Sequence, residues 1–270
     1  MDPDINGMSY NSARDELFFA DWKNKVVRAM RVRDNASDMR DVYKAPHDTD
    51  PHVWTACYMS NSDTLLICSG ERGPDQKIAY WLVALSRNGS EWREVQRVQT
   101  DGKGNINCAL SDSRVLIGQY TRRSTYMELF RVESGPRIAR VHLIHVRKEY
   151  SYTYFSATCG SDTLVAMSYE DKSVRVHRMC GDQLEELARI QLKWPDRLLW
   201  LADRLLVADY DYYKKSDAVV ELEMSDKRLE RRRELIATSE NIRVSCLCAL
   251  NDGLAIFNRK SRDILRYSIV

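Results

Sequence analysis

The side chains from which a catalytic or metal centre could be assembled are few and scattered. The five histidines fall at His47, His52, His142, His145 and His177. The first two flank one loop, and His142 and His145 are three apart, on opposite sides of any strand that carries both. Cys246 and Cys248 would share a strand face, but no second Cys or His pair at metal-ligand spacing accompanies them. Asp21, Asp209 and Asn258 are oxygen donors suited to a divalent cation, and Asp and Asn are equally the ordinary residues of turns. The chain contains no G-x-S-x-G elbow, and neither a Ser-His-Asp set nor a phosphate-cradling glycine loop can be read from it. These residues point away from catalysis, and no cofactor is expected.

A second set of residues does carry a chemistry. The segments "DWKNK", "SGERGPDQK", "QYTRRST", "SYEDKS", "DYDYYKKSD" and "NRKSRD", with the linkers "APHDTDPHVW", "RKEYSYTY", "KWPD" and "TSENIR", gather Trp22, Trp54, Trp194, Tyr120, Tyr150, Tyr152, Tyr169, Tyr210, Tyr212 and Tyr213. The same segments bring Arg72, Arg122, Arg123, Lys214, Lys215, Arg243, Arg259 and Lys260. Large rings with guanidinium groups are the usual material of protein-interface hot spots. The candidate binding set is Trp54, Arg72, Arg122, Arg123, Tyr150, Tyr152, Tyr210, Tyr212, Arg243 and Arg259. Arginine presents paired donors to carboxylate or phosphate, so an acidic or phosphorylated peptide suits such a set. The same mixture also stacks bases and neutralises phosphates, which keeps RNA as the second reading. The plain alternative is that exposed loops are polar in any case. "RRR" at 231–233 has Glu230 and Glu234 beside it, and "RKEY" contains Glu149, so both read as salt-bridged surface.

The elements that must hold these loops are legible as a repeat. "SDTLLICSG" at 62–70 returns as "SDSRVLIGQ" at 111–119 and "SDTLVAMSY" at 161–169. Aligned on its aspartate, the unit recurs at Asp15, Asp63, Asp112, Asp162, Asp203 and Asp252. An apolar run precedes and follows each aspartate, then a polar loop leads to an alternating strand such as "IAYWLVAL" or "AVVELEM". In five units a fourth, more polar strand follows. Runs of this length between turn residues are strands, and no segment sustains a helical period over three turns. "MSDKRLERRRELI" and "DQLEELARIQL" have helical composition but occupy fourth-strand positions, so strands are expected there. One four-stranded sheet cannot bury both faces alone; six copies set radially can. The expected fold is all-β, a six-bladed β-propeller of mostly four-stranded antiparallel blades. Blades are expected at about 6–50, 51–104, 105–151, 152–195, 196–240 and 241–270, forming a single domain over 1–270. Inner strands are expected near 7–10, 54–59, 106–110, 154–158, 197–201 and 244–250. The sixth unit reaches Val270 after three strands, which leaves an edge open to strand addition.

"GMSYNSARDELFFADWKNKVVRAMRV" at 7–32 resembles one blade of the NHL and YWTD-type six-bladed propellers, through Leu17, Phe18, Ala20, Asp21, Asn24, Val26 and Arg28. Ala-Asp recurs at 208–209, whereas the other four blades depart from the motif. The NHL resemblance implies protein or RNA binding, and the YWTD resemblance an extracellular setting. Lactonase-type six-bladed hydrolases hold a divalent metal at the channel mouth with Glu, Asn and Asp. Asp21, Asp209 and Asn258 are the matching candidates for that further alternative.

Composition bounds the rest. With 41 basic and 39 acidic residues the net charge is +2, which lacks the basic excess of a dedicated nucleic-acid binder. No apolar run approaches the roughly 18 residues that span a bilayer, and "MDPDINGMSY" is no secretory signal. Seven cysteines, mostly within apolar runs, read as reduced and buried, so an intracellular protein, cytoplasmic or nuclear, is expected. Oligomeric state is not written in these features.

Overall fold

The structure, a computed structural model, describes residues 5–33, 39–45, 52–72, 77–100, 104–111, 113–119, 126–133, 137–146, 152–159, 163–201, 203–225 and 228–269. Among them are 23 strands in six antiparallel sheets, the six blades of a β-propeller. Blade one is β1 (Ile5–Asn11), β2 (Glu16–Asp21), β3 (Val26–Arg31) and β4 (Arg40–Lys44). Blade two is β5 (His52–Met59), β6 (Thr64–Arg72), β7 (Ile78–Asn88) and β8 (Glu91–Thr100). Blade three is β9 (Gly104–Ser111), β10 (Arg114–Gln119), β11 (Tyr126–Glu133) and β12 (Arg137–His145). Blade four is β13 (Tyr152–Cys159), β14 (Thr163–Tyr169), β15 (Ser173–Cys180) and β16 (Gln183–Gln191). Blade five is β17 (Pro195–Leu201), β18 (Arg204–Asp211), β19 (Ser216–Ser225) and β20 (Arg228–Ile236). Blade six has three strands, β21 (Val244–Leu250), β22 (Gly253–Asn258) and β23 (Asp263–Ser268). All six expected inner strands are present, and both helix-like stretches are fourth strands, β16 and β20.

The chain divides into two compact units. The first comprises residues 1–120 and 128–141; the second comprises 121–127 and 142–270. In the first unit the second strand of blade two explains its own composition. Leu65 and Ile67 pack toward Phe18, Ala20, Val27 and Ala29 of blade one. Leu66 and Cys68, on the opposite face, pack toward Val115, Ile117 and Phe130 of blade three. A strand buried on both faces must be apolar at every position, and each such side chain contributes about 1.5–3 kcal/mol. In the second unit Leu205 and Val207 face blade four while Leu206 and Ala208 face blade six. The inner strands are tied by a repeated device: Tyr58 N donates to Ser9 Oγ at 2.8 Å, and Trp200 N donates to Ser156 Oγ at 3.1 Å.

The repeated aspartates work differently from simple turn caps. Asp15 and Asp63 themselves adopt left-handed backbone, with φ of 55° and 44°. Each accepts the hydroxyl of a tyrosine five residues earlier, Tyr10 at 2.7 Å and Tyr58 at 2.9 Å. In these two hairpins a ring from the first strand reaches across the turn to the aspartate side chain.

Two further regularities lie at the opposite ends of these strands. In all six blades the register between first and second strands shifts by one residue near the start of the first strand. The residues passed over there are Asn6, Trp54, Asn107, Thr153, Asp196 and Ser245, and blade three has a second shift at Leu110. Such shifts re-aim a side chain out of the alternating pattern. The residue just before the third strand is basic and left-handed in four blades: Lys25, Lys172, Lys215 and Arg262.

Candidate functional site

The best-described part of the loop face belongs to blades four, five and six of the second unit. Asp211 ends β18 and organises the next turn: its Oδ1 accepts the amides of Tyr213 at 2.9 Å and Lys214 at 3.1 Å. Its Oδ2 accepts Lys193 Nζ at 2.7 Å, and with the two amides this holds the carboxyl below its usual range. The turn lifts Tyr212 and Tyr213 into solvent, 68% and 100% exposed. The preceding linker is pinned beside it, because Trp194 N donates to Asp209 Oδ1 at 2.7 Å and Tyr210 N donates to Trp194 O at 3.0 Å. Trp194 is thereby held on the surface at 44% exposure.

These rings form a continuous run with a cation at each end. Lys172 Nζ lies 5.4 Å from the Trp194 ring centroid. Trp194 contacts Tyr212 at 5.9 Å, Tyr212 meets Tyr210 edge-on at 5.3 Å, and Arg243 Cζ sits 3.7 Å over Tyr210. Behind Arg243 lies a buried carboxylate. Asp217 accepts Arg243 Nη1 at 3.1 Å and Val244 N at 2.5 Å. Burial raises the Asp217 carboxyl to about 6, opposed by the Arg243 charge. Arg243 Nη2 also approaches Asp196, a register-shift residue, at 3.7 Å. Asp196 pairs with Arg197 at 2.9 Å, and Arg197 stacks 3.8 Å over Tyr154. Burial alone would lower the Arg197 pKa; Asp196 and Tyr154 more than offset it and hold the guanidinium charged.

Of the ten residues expected to bind, Tyr210, Tyr212 and Arg243 are brought together here. Arg259 joins through its backbone, its N donating to Arg243 O at 2.7 Å, with an exposed side chain. Arg72 ends β6 in the first unit and is half-buried. Trp54 and Tyr152 lie in β5 and β13, but their side chains are outside the described residues, as are Arg122, Arg123 and Tyr150 entirely. Arg243 is turned back toward Asp217 and Asp196, so its part in the site is to orient the Tyr210 ring. Trp194, Lys172, Asp196 and Asp217 complete the site and were not in that set. The "KWPD" linker held two of them in plain view, but their partners are up to 47 residues away in sequence.

The oxygen donors considered for a metal have other employment. Asp21 accepts Asn24 Nδ2 at 2.6 Å and Arg28 Nη1 at 2.9 Å. Asp209 holds Trp194, and Asn258 Oδ1 accepts the amides of Arg243 at 3.0 Å and Lys260 at 3.1 Å. Among the described residues no helix is long and apolar enough to cross a membrane.

No family model matches the chain, and no curated protein matches it either. Solved structures do. A glucose dehydrogenase aligns with a TM-score of 0.67 at 8% identity, over 100% of this chain and 99% of that one. The soluble aldose sugar dehydrogenase of Escherichia coli gives 0.64 at 8% identity, over 95% and 93%. The β-propeller domain of Cps50 (Swd1) from Myceliophteria thermophila gives 0.60 at 12% identity, over 98% and 84%. At such identities the likeness is one of fold.

Proposed function

We propose that this propeller is a non-catalytic binding scaffold that takes a peptide segment of a protein partner on its loop face, around Trp194, Tyr210 and Tyr212. The observation that carries this reading is the exposed run of rings, held rigidly from behind by Asp209, Asp211 and the Arg243–Asp217 pair. Preformed aromatic surface loses little conformational entropy on binding, which is what a hot spot needs. Lys172 and Lys215, at the same corner of neighbouring blades, offer cations to an acidic or phosphorylated segment. The expected residues Arg122, Arg123, Tyr150, Tyr152 and Arg259, of the same compact unit, would extend it. Swd1, Sqt1 of Saccharomyces cerevisiae and a chain of the mitotic checkpoint complex share the fold, and the last sits in a multiprotein assembly. Cys57, Cys68, Cys246 and Cys248 are buried, as small apolar side chains are.

An array of acidic and phosphorylated peptides, probed with the intact protein and with a Trp194→Ala, Tyr212→Ala double variant, tests the reading. Peptides retained by the first and lost by the second support it. RNA captured from lysate in a nuclease-sensitive manner, and lost in the same variant, would transfer the site to nucleic acid, the NHL-like alternative. The catalytic alternative draws on the sugar dehydrogenases that share the fold, and sugar turnover or tight divalent-metal binding by calorimetry would favour it.

A further inference from the structure

Asp217 stands directly opposite Tyr210 in the β18–β19 ladder, so the two side chains share the face that looks toward blade six. Arg243 joins them from the linker before β21, donating to the carboxylate and covering the ring. The Asp217 side chain is fully buried, whereas Tyr212, which leans on Tyr210, is exposed. One guanidinium therefore connects an interior charge to the surface rings.

Burial raises the Asp217 carboxyl to about 6, against the pull of Arg243 and the Val244 amide. The other charges that face it are Asp196 and Arg197, both from β17. On this face β20 brings the apolar Ile236. Asp209 and Asp211, on either side of Tyr210, turn to the opposite face, where they hold Trp194 and Lys193. Protonation of Asp217 removes the nearer of the two anions that Arg243 faces. Asp196, the other, lies at 3.7 Å and is already engaged by Arg197. Arginine keeps its charge throughout, so it is then drawn from above Tyr210 toward Asp196.

We propose that Asp217 is a proton switch for the loop-face site: ionised, it holds Arg243 over Tyr210 and the rings in their binding arrangement; protonated, it lets the peptide go. The switch rests on the reading of these rings as a peptide site. With Asp217 protonated, Tyr212 loses the fixed ring it leans on, and binding must order both rings, which costs affinity. The coupling is reciprocal: a peptide that prefers the ionised form must also make Asp217 harder to protonate.

The probe is an acidic, unphosphorylated peptide selected on the array, so that no phosphate titrates in the same range. Its affinity for the intact protein, read by anisotropy, should fall at least about fivefold between about pH 7.5 and about pH 5. Asp217→Asn, neutral at every pH, should bind at the weakened level throughout and change by less than about twofold, from the carboxylates of the peptide itself. In the unsubstituted protein, NMR of the Asp217 carboxyl carbon should show its titration midpoint fall when peptide is added, which a merely structural carboxylate would not do. An Asp217→Asn variant that loses affinity in acid as steeply as the unsubstituted protein overturns the switch. So does a midpoint that peptide leaves in place, or affinity that rises in acid through a freed Arg243. Peptide that binds equally at both pH values overturns the switch alone, and no binding at either overturns the peptide reading with it.

Discussion

The Arg243 guanidinium lies 3.7 Å over the Tyr210 ring while donating to the buried Asp217 carboxylate at 3.1 Å. From the linker before β21, one cation thus serves two strands of blade five: it neutralises a charge at the start of β19 and fixes the ring on which Tyr212 leans. The surface aromatics are rigid because of what lies beneath them, and variants of the two layers should behave differently.

Lys25→Gly and Lys215→Gly should each stabilise the protein by about 0.5–1 kcal/mol, since both residues hold a left-handed backbone that costs a side chain strain. Urea midpoints should rise with unchanged slope, and the matching alanine variants should show no gain.

Two buried groups should oppose each other in acid. Burial raises Asp217 to about 6, so the folded state binds its proton more tightly and gains stability as pH falls from about 6 to about 4. Burial lowers His177 to about 4, so the folded state resists protonation and loses stability as pH falls from about 6.5 to about 4. Each effect is about 3 kcal/mol, and the two largely offset. Asp217→Asn should therefore unmask a loss on acidification, and His177→Gln should unmask a gain, both read from denaturant unfolding across that range.

Gly253→Ala should cost about 2–3 kcal/mol, because an added Cβ would stand 2.1 Å from the Tyr267 carbonyl oxygen of the neighbouring strand. Hydrogen exchange should show β23 loosening first.

Much of this fold was readable because burial on both faces leaves its mark in composition. "LLIC" and "LLVA" are apolar throughout for that reason, and the aspartate shortly before each run marks the hairpin. The helix-like "LERRRELI" became β20 because Leu229 and Ile236 have a neighbouring strand to cover, which no local propensity encodes. The site was legible only in its parts. Tyr212 and Arg243 stand on loops, and Tyr210 at the end of β18, where any reading of the repeat places them, but the pairing of Arg243 with Asp217 joins the linker before blade six to blade five. The register shift that turns Asp196 toward Arg243 has no sequence signature, since Asn, Trp, Asn, Thr, Asp and Ser all occupy that position.

The last prediction separates recognition from support. Tyr212→Ala and Trp194→Ala remove exposed rings, so stability should change by no more than about 0.5 kcal/mol. Affinity for a peptide selected on the array should fall at least tenfold, about 1.4 kcal/mol or more for each ring. Arg243→Ala leaves Asp217 buried without its cation and should cost about 3–5 kcal/mol of stability as well as binding. Arg243→Lys keeps the charge but loses the planar stack on Tyr210, so it should restore most of the stability and less of the affinity. Arg122→Glu with Arg123→Glu should weaken binding most at low salt, where charges are least screened, and leave unfolding unchanged. Anisotropy titrations beside urea unfolding read both quantities. If the Trp194 and Tyr212 variants bind normally while Arg243→Ala does not, Arg243 acts through the fold alone and the ligand sits elsewhere.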